Sequence, residues 1–314
     1  MIKRTIEISR EPAYVTTQHK QLVLKRDGTI VGSIPCEDVG MVVADHPGTT
    51  YSHAALSALI ESGATVVICG RNHLPQGILI PLSDHTQVVW RINDQLSVSR
   101  PLRKRLWKQL VRAKILAQAE NLAPCSPPRR KLFNFAKEVR SGDPSNLEAQ
   151  AARAYWAAWL INAPEEIGNE QHAFSRDPDG IAPNALLTYG YAIIRAAIAR
   201  AIVAAGLLPA LGLHHSNRSN AFCLADDFIE PFRPIVDERV RELYFAGQNE
   251  LDQPTKAALL ELLAMDIQTS RRDTTTGPLM ISLHRMIASY VKCCEGVAKD
   301  LEIPVRIRRA VEER

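Results

Sequence analysis

The hydrophobic positions of this chain change period part-way along. Near the N-terminus Ile2, Ile6 and Ile8 fall on even positions, the mark of a strand with one buried face. Tyr14-Val15-Thr16-Thr17 is rich in strand formers, and two further runs, 20–25 and 29–34, flank Arg26-Asp27-Gly28. Asp-Gly suits a tight hairpin, because both turn residues must take positive φ. Residues 39–44 form an apolar run of the kind a buried strand shows. Residues 51–61 carry Ala54, Ala55, Ala58 and Leu59 at helical spacing and stop at Ser62-Gly63. Short apolar runs at 65–69 and 77–80 predict two more strands. Residues 1–85 therefore read as a small β-rich domain with one helix.

From about residue 95 the spacing turns helical. Residues 102–122 form a long amphipathic pattern with basic residues on the polar side. Pro124, Pro127 and Pro128 break it. Residues 145–161 are Ala-rich and helical, with Asp143 or Ser145 placed to cap the first turn. Residues 184–208 predict a long apolar helix, and 237–246, 253–266 and 279–301 predict three more. The fold class this implies is α+β: a small N-terminal β-rich domain followed by a larger all-α domain over 95–305.

Composition adds bounds. The 314 residues are 46% hydrophobic and 23% charged, ordinary for a globular protein of two domains. No apolar run is expected to reach the roughly 20 residues a membrane span needs, and no signal peptide pattern opens the chain, so a cytoplasmic protein is expected. Cys36, Cys69, Cys125, Cys223, Cys293 and Cys294 form no CxxC pair, which argues against a zinc knuckle and for reduced thiols. Net charge is only +4, but residues 101–140 hold eleven Lys and Arg against two Glu, a local +9. Arg103, Lys104, Lys108, Arg112 and Lys114 are candidates for a polyanion-facing surface; a solvated helix face with acidic neighbours explains the same charge.

Three places carry unusual polar groups. Glu148 shares a predicted helix face with Ala152, Tyr155 and Trp156, where a carboxylate needs a partner; a first-turn glutamate interacting with the helix dipole is the plainer reading. His214 and His215 end a stretch that, apart from Arg200, is apolar from Ala196. Asp227 and Glu230 are three apart, so on a helical turn both carboxylates face one way and repel unless a cation or proton holds them. Two or three carboxylates with one imidazole suit Mg²⁺ or Mn²⁺ better than structural zinc. Such an ion stabilises charge on a phosphoryl oxygen.

These residues also resemble a known family. Asp143-Pro144-Ser145-Asn146-x-Glu148 with Ala152-Arg153-x-Tyr155, Gly212-x-x-His215, and 227–234 (Asp-Phe-Ile-Glu-Pro-Phe-Arg-Pro) are similar to motifs of CRISPR-associated protein one, the integrase-nuclease of spacer acquisition. Residues 184–191 and Asn72-His73-Leu74-Pro75 fit as well. The details look most like the type II branch. One departure is Ala149, where many relatives carry glycine.

The resemblance implies Glu148, His215 and Glu230 as metal ligands and catalytic residues, with Asp227 beside them as an extra or supporting acid. Arg233 joins the basic residues as a DNA contact; a salt bridge to a neighbouring carboxylate is the other reading. It further implies Mg²⁺ or Mn²⁺, a homodimer formed through 1–85, and CRISPR-associated protein two bridging two dimers. The implied reaction inserts short DNA fragments into a CRISPR repeat, a 3′-hydroxyl attacking a phosphodiester. A stand-alone branched-DNA nuclease, a non-catalytic DNA-binding subunit and a small-molecule metalloenzyme are the rivals.

Overall fold

A computed structural model describes residues 3–82, 85–160, 174–178, 180, 182–271 and 273–307. Ile2 and Ile161, used above, lie outside them. The N-terminal strands are β1 (Arg4–Ile8), β2 (Tyr14–Gln18), β3 (Gln21–Arg26), β4 (Thr29–Pro35), β5 (Val39–Ala44), β6 (Thr50–Tyr51), β7 (Thr65–Cys69) and β8 (Pro75–Leu79), with α1 (His53–Glu61) before β7. They form two four-stranded sheets, ordered β1-β5-β7-β8 and β4-β3-β2-β6. The Asp-Gly turn behaves as its residues require: Asp27 and Gly28 take φ of 47° and 78°, and Arg26 pairs with Thr29.

Strand β5 is buried along its whole length because it has packing on both faces. Val39 and Val42 join Leu22, Leu59 and Val66 in the β-domain core. Met41 and Val43, with Val67, join the larger core of the helical region. The two regions therefore share a sheet. An ion pair pins the same seam: Asp45, just past β5, accepts from Lys256 Nζ at 2.5 Å, with both side chains almost wholly buried. His73, from the Asn-His-Leu-Pro motif, adds a contact to Asp45 at 3.1 Å, so that motif supports the seam.

The helical region comprises α2 (Val88–Ser97), α3 (Arg100–Glu120), α4 (Pro127–Glu138), α5 (Leu147–Trp159), α6 (Asn184–Ala204), α7 (Cys223–Ile229), α8 (Arg233–Phe245), α9 (Gln253–Leu260) and α10 (Leu279–Cys294). It also holds a short antiparallel pair, β9 (Asp266–Gln268) with β10 (Thr276–Pro278), in addition to the helices expected. Helices α2 and α4 were not expected. Pro127 and Pro128 do more than end a helix: they occupy the first turn of α4, with Ser126 Oγ accepting from Arg129 N. The helix expected at 237–246 begins four residues earlier, at Arg233.

Helix α6 is long and apolar enough to cross a membrane by length and composition, contrary to the expectation that no apolar run approaches that length. It is a core helix here, with 78% of its most apolar window buried inside the protein. Gly190 allows the close approach: a Cβ there would lie 2.5 Å from Val236 of α8. That contact brings α8, and with it the segment just before it, against α6. All six cysteines are free thiols.

Candidate active site

Helix α3 presents Lys114 inward, packed beside Leu110, Val111 and Ile115 on the buried face. Its ammonium contacts Glu148 Oε1 and lies 2.5 Å from Glu230 Oε2. Lys114 was expected on the basic surface; instead it is buried between the two carboxylates. Of its neighbours on α3, Lys104 and Arg112 are exposed, and Arg103 and Lys108 are half-buried.

Glu148 sits in the first turn of α5. Asp143 anchors that turn, accepting from the backbone N of Leu147 and of Glu148 at 2.9 Å each. The cap is Asp143, and Ser145 plays no part in it. The buried stripe of α5 is Leu147, Ala151, Tyr155 and Trp159. This stripe lies one position round from the face expected, so Glu148 stands at its edge, half-buried. Being at the edge lets it reach Lys114 while remaining open to solvent on its other side.

Glu230 opens the short 3-10 turn Glu230–Phe232 between α7 and α8. Arg233 Nε donates to its Oε1 at 3.0 Å, and the guanidinium lies 4.7 Å over the Tyr191 ring. The salt bridge offered above as the alternative for Arg233 is thus the one seen. Burial works to raise the Glu230 pKa; Lys114 and Arg233 outweigh it and hold the carboxyl down at about 2. Burial likewise works to lower Lys114, and Glu230 and Glu148 outweigh it, so the lysine is held protonated.

Asp227 does not form an acidic pair with Glu230. It is fully buried and turns toward the loop after α6. Oδ2 accepts from Leu213 N at 2.5 Å and His214 N at 3.1 Å; Oδ1 accepts from His215 N at 3.1 Å and faces His215 Nδ1 at 2.7 Å. Only glycine fits at 212, because a Cβ there would lie 2.3 Å from the His215 carbonyl and 2.8 Å from Asp227 Oδ2. With Nδ1 engaged, His215 has Nε2 left to act. The hydrogen bond to Asp227 raises its pKa above the ordinary value, against the effect of burial.

His214 takes a different part. Its ring stacks on Trp107 of α3 with centroids 4.3 Å apart, and Trp107 also meets His215 edge-on at 5.8 Å. Arg103, Asn217 and Tyr290 line a cavity of about 230 Å³ that opens beside His215. Trp107 was absent from the sequence reading of the site, and Lys114 entered it only as a candidate contact on the basic surface. The signal for both was available: they sit seven apart on α3, in register with Leu110 and Val111, on the apolar face.

Among the described residues, no three His, Cys, Asp or Glu side chains are gathered tightly enough to hold a metal ion as they stand. Lys114 occupies the position between the carboxylates. The donors nevertheless fit a hard divalent cation in type: two carboxylates and an imidazole nitrogen. Glu230 Oε2 is buried and faces the Lys114 ammonium at 2.5 Å, so the point it addresses is one that a cation fills.

A mixed sheet joined to a helical region, with two carboxylates and a histidine near a basic helix, defines an α+β protein whose polar site is built on its helical region. Residues 6–261 match the family described as CRISPR associated protein Cas1, and the chain belongs to that family. It is 36% identical over 300 residues to the CRISPR-associated endonuclease Cas1 of Neisseria meningitidis serogroup C (strain 8013), covering 92% of each chain. Among solved structures, it resembles a casposase bound to integration product with a TM-score of 0.77 at 15% identity, covering 99% of this chain and 95% of that one. It also resembles a chain of a Cas6-RT-Cas1–Cas2 complex with a TM-score of 0.74 at 18% identity, covering 98% of this chain and 36% of that one.

Proposed function

We propose that this protein is a divalent-metal-dependent DNA endonuclease and integrase that inserts short foreign DNA fragments into a CRISPR array. The observation that carries the reading is the convergence of Glu148 and Glu230 on a single cation position next to His215, in a chain of the Cas1 family. Support for DNA as substrate comes from the Neisseria relative, named an endonuclease, and from the casposase, captured with an integration product.

Glu148, His215 and Glu230 would hold Mg²⁺ or Mn²⁺. When bound, the ion supplies positive charge to a phosphoryl oxygen of the scissile phosphodiester. The chain's own groups do the rest. Asp227 fixes the ring of His215 so that Nε2 faces outward. Exposed Lys104 and Arg112, with half-buried Lys108, track DNA phosphates, and Arg103 sits in the cavity beside His215. Arg233 neutralises Glu230 from behind and contributes to the site through it. In the joining step a 3′-hydroxyl attacks the repeat phosphodiester and the displaced strand leaves with its own 3′-hydroxyl. Hydrolysis of branched DNA uses water in the same place.

The protein would act in the cytoplasm as a homodimer through the β-rich domain, with a Cas2 dimer bridging two such dimers. Ile30 and Val31 support that dimer surface: they are half-exposed on β4, at the edge of its sheet. The complex containing Cas1 and Cas2 supports the choice of partner.

The test is a half-site integration assay with purified protein, Mn²⁺ or Mg²⁺, a short duplex and a repeat-bearing plasmid. Joined product should require the 3′-hydroxyl, the ion, Glu148 and His215. Glu148→Gln should abolish joining while leaving the fold intact by circular dichroism. Cleavage without joining, even with the Cas2 partner added, would favour a stand-alone nuclease.

A further inference from the structure

Lys114 is a cation already seated between the residues proposed to bind the metal. Its ammonium touches both Glu148 and Glu230, and its side chain is only 9% exposed. Glu230 has a second cation in Arg233. The four side chains carry two negative and two positive charges, so the cluster is neutral as it stands. A neutral cluster offers an incoming dication little net attraction, and an ammonium at the same point repels it.

We infer that Lys114 is a resident counter-ion that competes with the divalent metal for Glu148 and Glu230, and that DNA relieves the competition. This rests on the reading of Glu148, His215 and Glu230 as metal ligands. A lysine suits the task because its charge is compact and its four-carbon stem is flexible. It can move from the carboxylates to a phosphate oxygen once a backbone phosphate lies over the site. That phosphate brings the negative charge that the neutral cluster lacks. A metal site that fills only together with DNA limits hydrolysis in the absence of the proper substrate. Lys114 is therefore a positioning residue: it keeps two buried carboxylates together in the free protein and yields them on binding.

The experiment measures Mn²⁺ affinity by electron paramagnetic resonance of the free ion, using the full chain. Wild type, Lys114→Met, Lys114→Gln and Glu148→Gln are compared without DNA and with a duplex lacking its 3′-hydroxyl. Circular dichroism in EDTA checks that each variant is folded. Without DNA, the two neutral variants are expected to bind Mn²⁺ at least about tenfold more tightly than wild type. The unreactive duplex is expected to tighten binding by wild type much more than by either variant.

Equal or weaker Mn²⁺ binding by the folded neutral variants overturns the proposal, since a lysine that only packs, or that helps hold the ion, gives that result. Glu148→Gln separates the two layers. If it binds Mn²⁺ like wild type, the ligand assignment itself fails. If it loses Mn²⁺ while the lysine variants match wild type, only the role of Lys114 fails. Should both neutral variants fail to fold, Lys114→Arg keeps the charge and is expected to hold both carboxylates with its rigid fork. Its Mn²⁺ affinity should fall below wild type, and a higher affinity overturns the inference.

Discussion

His215 Nδ1 lies 2.7 Å from Asp227 Oδ1, and the same carboxylate binds three successive backbone N–H groups from Leu213 to His215. One buried acid thus sets both the path of the loop and the orientation of the ring.

Asp227→Asn should damage both. An amide nitrogen would replace one acceptor opposite these donors, and the expected cost is about 1–3 kcal/mol in urea unfolding. His215, whose pKa is raised from the usual 6.5, should titrate nearer that value by NMR. The raised pKa means that the protonated ring adds stability fully below 6.5, lost as pH rises through its folded value. Metal binding should show the opposite trend, since only the neutral ring coordinates. Mn²⁺ affinity should fall as pH drops through the raised pKa in wild type, and at lower pH in the variant.

Gly212→Ala places a Cβ 2.3 Å from the His215 carbonyl. The loop must shift, at an expected cost of roughly 1–3 kcal/mol. Joining activity should fall much further than the folded fraction does, because the displaced carbonyl belongs to His215. Activity equal to wild type would show that the loop adapts without moving the ring.

Lys256→Met leaves Asp45 buried at the seam between the β-rich domain and α9. Breaking such a pair should cost roughly 3–5 kcal/mol. The double variant Asp45→Asn/Lys256→Met should lose less than the sum of the single changes, measured as a double-mutant cycle in urea. Additive losses would mean that the pair contributes no coupling.

Asp237, buried beside the Tyr191 hydroxyl, has its pKa pushed up by burial to about 7. The folded state therefore holds a proton that the unfolded state releases near 3.8. The stability this contributes is complete below 3.8 and is lost as pH rises through about 7. Asp237→Asn should flatten the fall in thermal midpoint between pH 5 and pH 8; an unchanged slope would assign that fall to other groups.

Much of this protein is legible without its fold, and for local reasons. The Asp27-Gly28 hairpin follows from two residues that accept positive φ, and β5 from an apolar run too short for a helix. Helices α3 and α6 follow from periodicity over some twenty residues, and the motif resemblance singles out Glu148 and Glu230, which the fold brings to one lysine. What required the tertiary structure is which side chains share a partner. Lys114 is 34 residues from Glu148, and sequence alone presents it as one more basic residue on a basic helix. It is interior because the Leu110, Val111 and Ile115 face of α3 packs inward, toward the segment carrying Glu230. Asp227 and Glu230 lie on one turn yet serve different neighbours, since α7 is packed between the histidine loop and α3. Pattern along a chain reports what each segment prefers; the pairing of charges depends on how distant segments pack, because a buried charge takes whatever counter-charge the fold brings within reach.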